Sequence, residues 1–415
     1  MCQLQGIGAR TTVWRRVIGV GHMDRRHLLK QSLALGGLAG LGATSQPAMA
    51  QRAQLVPIRA HADRIYDIKC CIRPFRTKGP NLSVEQVGDA TVIHNYGHHG
   101  SGWCLSWGSA DMQVQKAMSF APRKIAVVGS GVIGLTTAVQ ALRAGMEVTI
   151  YTRELLPRTR SYRANGVWGP GTVALASEAQ PGLGDIWEQM VRTSWKNFRP
   201  YMGMAGSPIA WSEHYELSDT PFDAPPPAPL TMANGDPAPV FYDMGNRISD
   251  ITSIPEVLTP EINPFPGVKY ARHSTKMFWN FSEYGHLLTT EFFARGGKIV
   301  MRDFHAPSEL AHLPEKVIIN CPGYAAHDWW RDKSMIPIRG QTEWLIPQPE
   351  VNYGLTYRNV ETRSKSDGVM VIQIGPEMFA KSWKNSNEIP NRAEAETAVK
   401  VVEELMSRFP NAARG

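Results

Sequence analysis

The apolar positions of this chain follow two periods. Lys124 leads into Ile125-Ala126-Val127-Val128, an unbroken run that fits a parallel strand buried on both faces. Leu135 to Ala144 then carries apolar residues at helical spacing and stops at Gly145, and Glu147 to Thr152 reads as a second strand. Helical spacing returns over Gly182 to Phe198 and Ala393 to Phe409, while Val317 to Asn320 and Val369 to Ile374 read as strands. Pro221 to Pro239, rich in Pro, Ala, Asn and Gly, reads as a long surface loop, either a loose insertion or a lid. Strand, helix and strand in direct succession predict an α/β fold.

One stretch fits neither period. After Met23 come Asp24-Arg25-Arg26-His27-Leu28-Leu29-Lys30, a charge-free Leu/Gly/Ala segment and Ala48-Met49-Ala50. This is the pattern of a twin-arginine export signal with a small-residue cleavage site, so residues 1–50 are expected to be removed and the rest to be periplasmic or secreted. An uncleaved anchor is the alternative, although the segment is short and glycine-rich for a span. Residues 1–22 resemble neither signal nor domain, which leaves Met23 as an alternative start.

Charge then changes its meaning. The first 50 residues hold six of the 44 Lys and Arg and one of the 37 Asp and Glu, leaving 38 bases against 36 acids. No basic tract remains to suggest nucleic acid as a partner. Of the remaining cysteines, Cys70, Cys71, Cys104 and Cys321, none has the spacing of a disulfide scaffold or a zinc site. His94, His98 and His99 come without a carboxylate or cysteine cluster, and no metal is expected.

Between the first strand and helix stands Gly129-Ser130-Gly131-Val132-Ile133-Gly134. Gly129 permits a tight turn, Gly131 lets backbone approach a pyrophosphate, and Gly134 lets helix and strand pack closely. The helix N-terminus, around Val132 and Ile133, offers free N–H groups to phosphate. Glu154, twenty residues past Gly134, is placed to accept from an adenosine ribose hydroxyl. The unit binds a dinucleotide; the fingerprint does not choose between FAD and NAD.

Further segments resemble the D-amino-acid oxidase family of FAD oxidoreductases. Arg153-Glu154-Leu155-Leu156-Pro157 is similar to the family's Arg-Asp-Leu-Pro, and Asn165-Gly166-Val167-Trp168-Gly169-Pro170 to its Ala-Gly-Leu-Trp-x-Pro beside the flavin. Val317 to Gly323 resembles Val-Ile-Val-Asn-Cys-Thr-Gly, and Pro337-Ile338-Arg339-Gly340-Gln341 resembles Pro-x-Arg-Gly-Gln. Ile72-Arg73-Pro74-Phe75-Arg76, Val92 to Gly102 and Trp107-Gly108 resemble segments that end the family's proteins, yet here they precede the dinucleotide unit. The resemblance therefore implies a circularly permuted order. Ala110 to Arg123 would join the family's last helix to its first strand, and new ends would lie between the Ala393 helix and the Arg73 strand.

The implied fold is an α/β FAD-binding Rossmann-like domain with an antiparallel-sheet substrate domain. Residues 51–122 would be the family's carboxy-terminal part and 123–180 the dinucleotide unit. Residues 181–285 and 335–415 would belong to the substrate domain and 286–334 to the FAD domain. The resemblance implies FAD contacts at Gly129, Gly131, Val132, Ile133, Gly134, Arg153, Glu154, Asn165, Gly166, Val167, Trp168, Gly323 and Arg339. It adds backbone N–H groups from Gly100, Ser101, Gly102, Trp103 and Cys104 facing the flavin.

For catalysis the resemblance implies Arg73 as the anchor of a substrate carboxylate and Tyr357 as a substrate-facing tyrosine. The family's second tyrosine falls near Arg363 or Ser364, where this chain has no tyrosine, and Arg363 is either a cation for an acidic substrate or a solvated strand-end residue. The implied reaction is hydride transfer to FAD from a D-amino acid or related amine, with oxygen as acceptor. A quinone- or dye-linked dehydrogenase and a flavin-binding protein without turnover are the alternatives.

Overall fold

The computed structural model describes residues 54–225, 231–232 and 237–410. The export signal, and residues 226–230 and 233–236 of the Pro221–Pro239 loop, lie outside the described residues. The described elements run β1 (Ile65–Arg76), β2 (Val84–Val87), β3 (Ala90–His94), α1 (Gly102–Met118), β4 (Lys124–Val128), α2 (Val132–Arg143), β5 (Glu147–Thr152), α3 (Leu183–Phe198), β6 (Ile209–Ser218), β7 (Glu256–Leu258) and β8 (Tyr270–Trp279). There follow α4 (Phe281–Ala294), β9 (Lys298–Met301), β10 (Val317–Asn320), α5 (Ala326–Trp329), β11 (Met335–Leu345), β12 (Tyr353–Tyr357), β13 (Val360–Lys365), β14 (Gly368–Gln373), α6 (Pro376–Ser382) and α7 (Arg392–Met406).

Two sheets organise them. A six-stranded sheet has the order β2-β3-β10-β4-β5-β9, parallel throughout except for β2 at its edge. Its central strand β10 is buried at every residue and pairs with β3 on one side and β4 on the other. Helices cover both faces, as a sheet of continuous apolar strands requires. On one face α1, α2, α3 and α4 contribute Trp107, Leu135, Trp187 and Leu288 to the largest core. The helices approach closely: a Cβ on Gly108 of α1 would lie 2.1 Å from the Met190 carbonyl oxygen of α3. Helix α3 thus packs on α1 in the core beside the first sheet, although it falls within the 181–285 stretch expected for the substrate domain.

The second sheet has the order β1-β11-β14-β13-β12-β6-β8-β7 and is antiparallel except for the β12–β6 pair. Side chains alternate between its faces with a period of two. One face presents Leu355, Val369 and Val371 to Ala398, Val402 and Leu405 of α7, whose N-terminus is capped by the Asn391 side chain accepting from Ala393 N and Glu394 N. The other face, with Met370 and Ile372, turns toward the first sheet. The segment ahead of β4 is divided between the layers: β1 is an edge strand of the second sheet, while β3 and α1 belong to the first. Among the described residues no helix is long and apolar enough to cross a membrane.

Candidate functional site

A cavity of about 580 Å³ opens where the parallel strands end, bordered by Asn95 after β3, Gly129 after β4, Arg153 after β5 and Cys321 after β10. Ligands of open α/β sheets bind at such carboxyl ends. Gly129 has φ +91°, and a Cβ there would stand 2.4 Å from the Cys321 carbonyl oxygen; one on Gly134 would stand 1.9 Å from the Gly129 oxygen. The turn can therefore be this tight only with glycine. Gly129, Gly131, Val132, Ile133 and Gly134 all border the cavity. Helix α2 begins there with no acidic residue in its first turn and no capping side chain of its own, and Val132 N donates to Ser161 Oγ at 3.0 Å.

Beyond the turn stand Arg153 and Glu154, joined by Arg302, Asp303 and Phe304 from the segment after β9, which sequence reasoning missed. Six cationic side chains (Arg73, Arg153, Arg160, Arg163, Lys276, Arg302) and three acids (Glu154, Asp303, Glu361) border the cavity, a balance that favours an anionic guest. Asn165, Val167, Trp168 and Gly323 are also on its wall. Gly166 stands just behind it at φ +62°, where a Cβ would collide with Phe281 at 2.5 Å and with Lys365 Nζ at 2.7 Å. That lysine had no sequence signal. It is buried and donates to the carbonyls of Asn165, Trp279 and Gly166 at 2.6, 3.0 and 3.4 Å, and burial pulls its pKa down to about 7.

The glycine-rich loop after β3 brings Gly97, His98, His99, Gly100, Gly102 and Trp103 to the wall. Ser101 and Cys104 turn behind it, Ser101 Oγ donating to the Gly169 carbonyl at 3.4 Å and Cys104 Sγ accepting from Gly169 N at 3.4 Å. His99 adopts φ 54°, held by Nδ1 against the Thr172 carbonyl at 2.8 Å and by ring contacts with Phe75 and Phe241. Burial lowers the pKa of His98 and of His99 to about 3, so both rings are neutral. Burial also raises the thiols of Cys71 and Cys104, to about 11 and 12. Among the described residues no cluster of His, Cys, Asp and Glu could hold a metal ion.

Arg73 reaches the same cavity from β1. Its guanidinium lies across Gly340, whose Cβ would stand 3.0 Å from Arg73 Nη2, and burial lowers its pKa. Two expected residues are not there. Arg339 is on the opposite face of β11, paired with Glu394 of α7 at 2.8 Å, and only its carbonyl turns to Arg73. Tyr357, in β12, likewise faces α7, with its hydroxyl on Asp219 Oδ1 at 2.8 Å. The reason in both cases is the period of two: Ile338, Gly340 and Thr342 take the face of β11 that Arg339 cannot. Arg363 is neither on the cavity nor solvated; it is sealed against Ser212, His214 and Phe278.

A family model described as FAD dependent oxidoreductase matches residues 124–414. The chain belongs to this family. FAD is its cofactor, and the cavity fits one: a glycine cradle that a Cβ would fill, a helix start without an acidic residue and a cationic wall border it together. Among relatives, a D-amino-acid oxidase of Streptomyces coelicolor is 28% identical over 227 residues, covering 52% of this chain and 58% of the relative. A D-amino acid oxidase of Dugesia ryukyuensis is 25% identical over 256 residues, covering 60% of this chain and 68% of the relative. The chain thus spans less than two thirds of the first of these. Among solved structures, an L-amino acid deaminase from Proteus vulgaris has a TM-score of 0.44 at 12% identity over 70% of this chain and 81% of that one. An L-proline dehydrogenase from P. horikoshii has a TM-score of 0.44 at 14% identity over 69% and 78%.

Proposed function

We propose that this FAD-dependent oxidoreductase oxidises the C–N bond of a D-amino acid or related amine, with oxygen as the acceptor and hydrogen peroxide as product. The observation that carries the reading is Arg73, a half-buried guanidinium on the cavity that no carboxylate of the described protein neutralises. A guanidinium fork matches a carboxylate in shape and charge. FAD, when bound, supplies the hydride acceptor. Arg73 fixes the substrate carboxylate, so that the α-carbon is held in one orientation, and positioning does much of the catalytic work. Helix α1 starts beside it with no acidic residue in its first turn and no side-chain cap, so that its N-terminal end, at Gly102 and Trp103 on the wall, offers its partial positive charge to negative charge in the cavity. His98 and His99, neutral in their burial, add no charge there. The imino acid product hydrolyses to an oxo acid and ammonia.

Two related proposals concern the whole chain. The segment holding Arg73 and the glycine loop precedes the span that the family model matches, yet borders the same cavity, which supports a circularly permuted family fold. Export of the folded, FAD-loaded protein through the twin-arginine machinery fits Arg25-Arg26, and replacing both with Lys should leave the protein in the cytoplasm. For the reaction, the test is anaerobic mixing with a panel of D- and L-amino acids and amines, followed by flavin absorbance and then oxygen uptake. Bleaching by an amino acid with oxygen uptake supports the proposal. Bleaching with turnover on a dye alone favours a dehydrogenase, and no bleaching by any amino acid or amine removes the catalytic reading.

A further inference from the structure

The cavity has a second polar corner that the proposed reaction does not use. Lys276 of β8 and Glu361 of β13 both border it, with Nζ and Oε1 4.0 Å apart. Glu361 is 8% exposed, and its Oε1 is buried without a hydrogen-bond partner. Such an acceptor is costly to leave unmatched, whereas a guest that donates to it recovers the loss. Lys276 beside it is an available donor, its side chain 28% exposed. The register places this corner on the same sheet face as Arg73. Glu361 pairs with Ile372 of β14, a cavity residue, and β14 pairs with β11, where the Arg73 guanidinium lies across Gly340. β11 and β13 are thus two strands apart, roughly 10 Å.

Resting on the amino-acid reading above, we infer that Lys276 and Glu361 select substrates whose side chain ends in a neutral group that both donates and accepts, a carboxamide above all. The two residues carry opposite charges, so a guest meets both signs at this corner. A side chain ending in a carboxylate meets Glu361 as a like charge, and one ending in an ammonium meets Lys276. An apolar side chain desolvates both groups and gives Glu361 Oε1 no donor. A carboxamide oxygen accepts from Lys276 Nζ while its NH2 donates to Glu361. A glutamine-length chain, with one hydrogen bond at each end and four carbon–carbon bonds between, has the reach to cross the roughly 10 Å between these strands. Specificity of this kind comes from what the wrong substrate leaves unpaired as much as from what the right one gains.

The test measures anaerobic flavin reduction, as maximal rate over apparent Kd, with glutamine, glutamate, lysine and norleucine of the preferred hand. The holoenzyme is compared with Lys276→Met and Glu361→Gln, and retained flavin absorbance serves as the folding control. Glutamine should exceed each of the others by about 10-fold or more, the loss expected for a charged group left without its hydrogen bond. Lys276→Met should move the preference toward lysine, and Glu361→Gln toward glutamate. Norleucine reducing the flavin as well as glutamine does would overturn the inference while leaving amino-acid oxidation intact. So would a Glu361→Gln variant that slows all four substrates equally, because the carboxylate would then be serving the common head group. No reduction by any amino acid would remove the underlying reading and the inference together.

Discussion

Arg73 donates from Nη1 to the carbonyl oxygen of Arg339 at 3.3 Å, across the β1–β11 pair. The second arginine's own charge is spent on Glu394, on the far side of the sheet. One arginine is thereby left to the cavity and the other to the core, and the strand alternation decides which.

For Arg73 the expected outcome of Arg73→Leu is a yellow protein that reduces its flavin poorly with any carboxylate-bearing substrate. A charge-assisted hydrogen bond contributes roughly 1.5–3 kcal/mol, which corresponds to about 10- to 100-fold, and a bidentate pair contributes more. Both affinity and maximal rate should fall, since misorientation moves the reacting hydrogen. Stopped-flow reduction as fast as wild type with the best amino acid would show that the anchor lies elsewhere.

Gly131→Val should produce colourless apoprotein. A Cβ at this position already stands 3.0 Å from Ser161 Oγ, on the wall where the α2 N-terminus meets the cavity, and the valine methyls extend further. Full flavin occupancy in the purified variant, read from its absorbance, would contradict the placement of the pyrophosphate.

Lys365 should make stability depend on pH in an unusual direction. Its pKa is about 7 in the fold and roughly 10.4 in an unfolded chain. Between these values the unfolded state binds the additional proton, so stability rises with pH across that window; below pH 7 both states are charged and the buried ammonium is felt in full. Chemical denaturation of wild type and Lys365→Met at pH 6.5 and 9.5 should show wild type gaining relative to the variant at the higher pH. A difference that stays constant between the two pH values would refute this account.

Tyr357→Phe should leave flavin reduction unchanged and cost on the order of 1–2 kcal/mol of stability, the hydroxyl's bonds to Asp219 and from Arg408 being its loss. A fall in maximal rate without a fall in stability would restore the tyrosine to the substrate site.

The proposed permutation is also open to direct test. The first described residues lie against the last helix: His61 Nδ1 is 2.9 Å from Glu403 Oε1, and Arg392 Nη2 donates to the Ala62 carbonyl at 2.6 Å. A chain rebuilt to start at Arg123, run to Pro410 and continue through a short flexible linker into Gln54–Ala121 should bind FAD and match the parent in flavin reduction. Soluble but flavin-free protein would argue that the present order is required.

Much of this was legible locally. The strand, turn and helix of the fingerprint lie within a few residues of their expected bounds, because a buried parallel strand and an amphipathic helix each mark themselves in consecutive residues. The helices expected at Gly182–Phe198 and Ala393–Phe409 are α3 and α7. What could not be read is which face a strand residue takes once an antiparallel sheet is covered on both sides. Arg339 and Tyr357 sit in segments similar to the family's, yet each points to α7, a helix whose position depends on the whole sheet. Lys276 and Glu361 come from strands that do not pair with each other, and Lys365 serves carbonyls about 200 and 86 residues away. No local pattern encodes such meetings.

The central place of β10 sets the order of events during synthesis. β3 and β4 are made early, but neither pairs with the other; both wait for a strand that begins at Val317, and β1 waits longer still for β11. A ribosome adding roughly 5–20 residues per second therefore leaves three apolar strand edges without partners for about 10 s or more. The segment holding Arg73 and the glycine loop is translated early and completed only once β11 has been made, so it folds late in synthesis. During that interval the segment is not a domain in its own right.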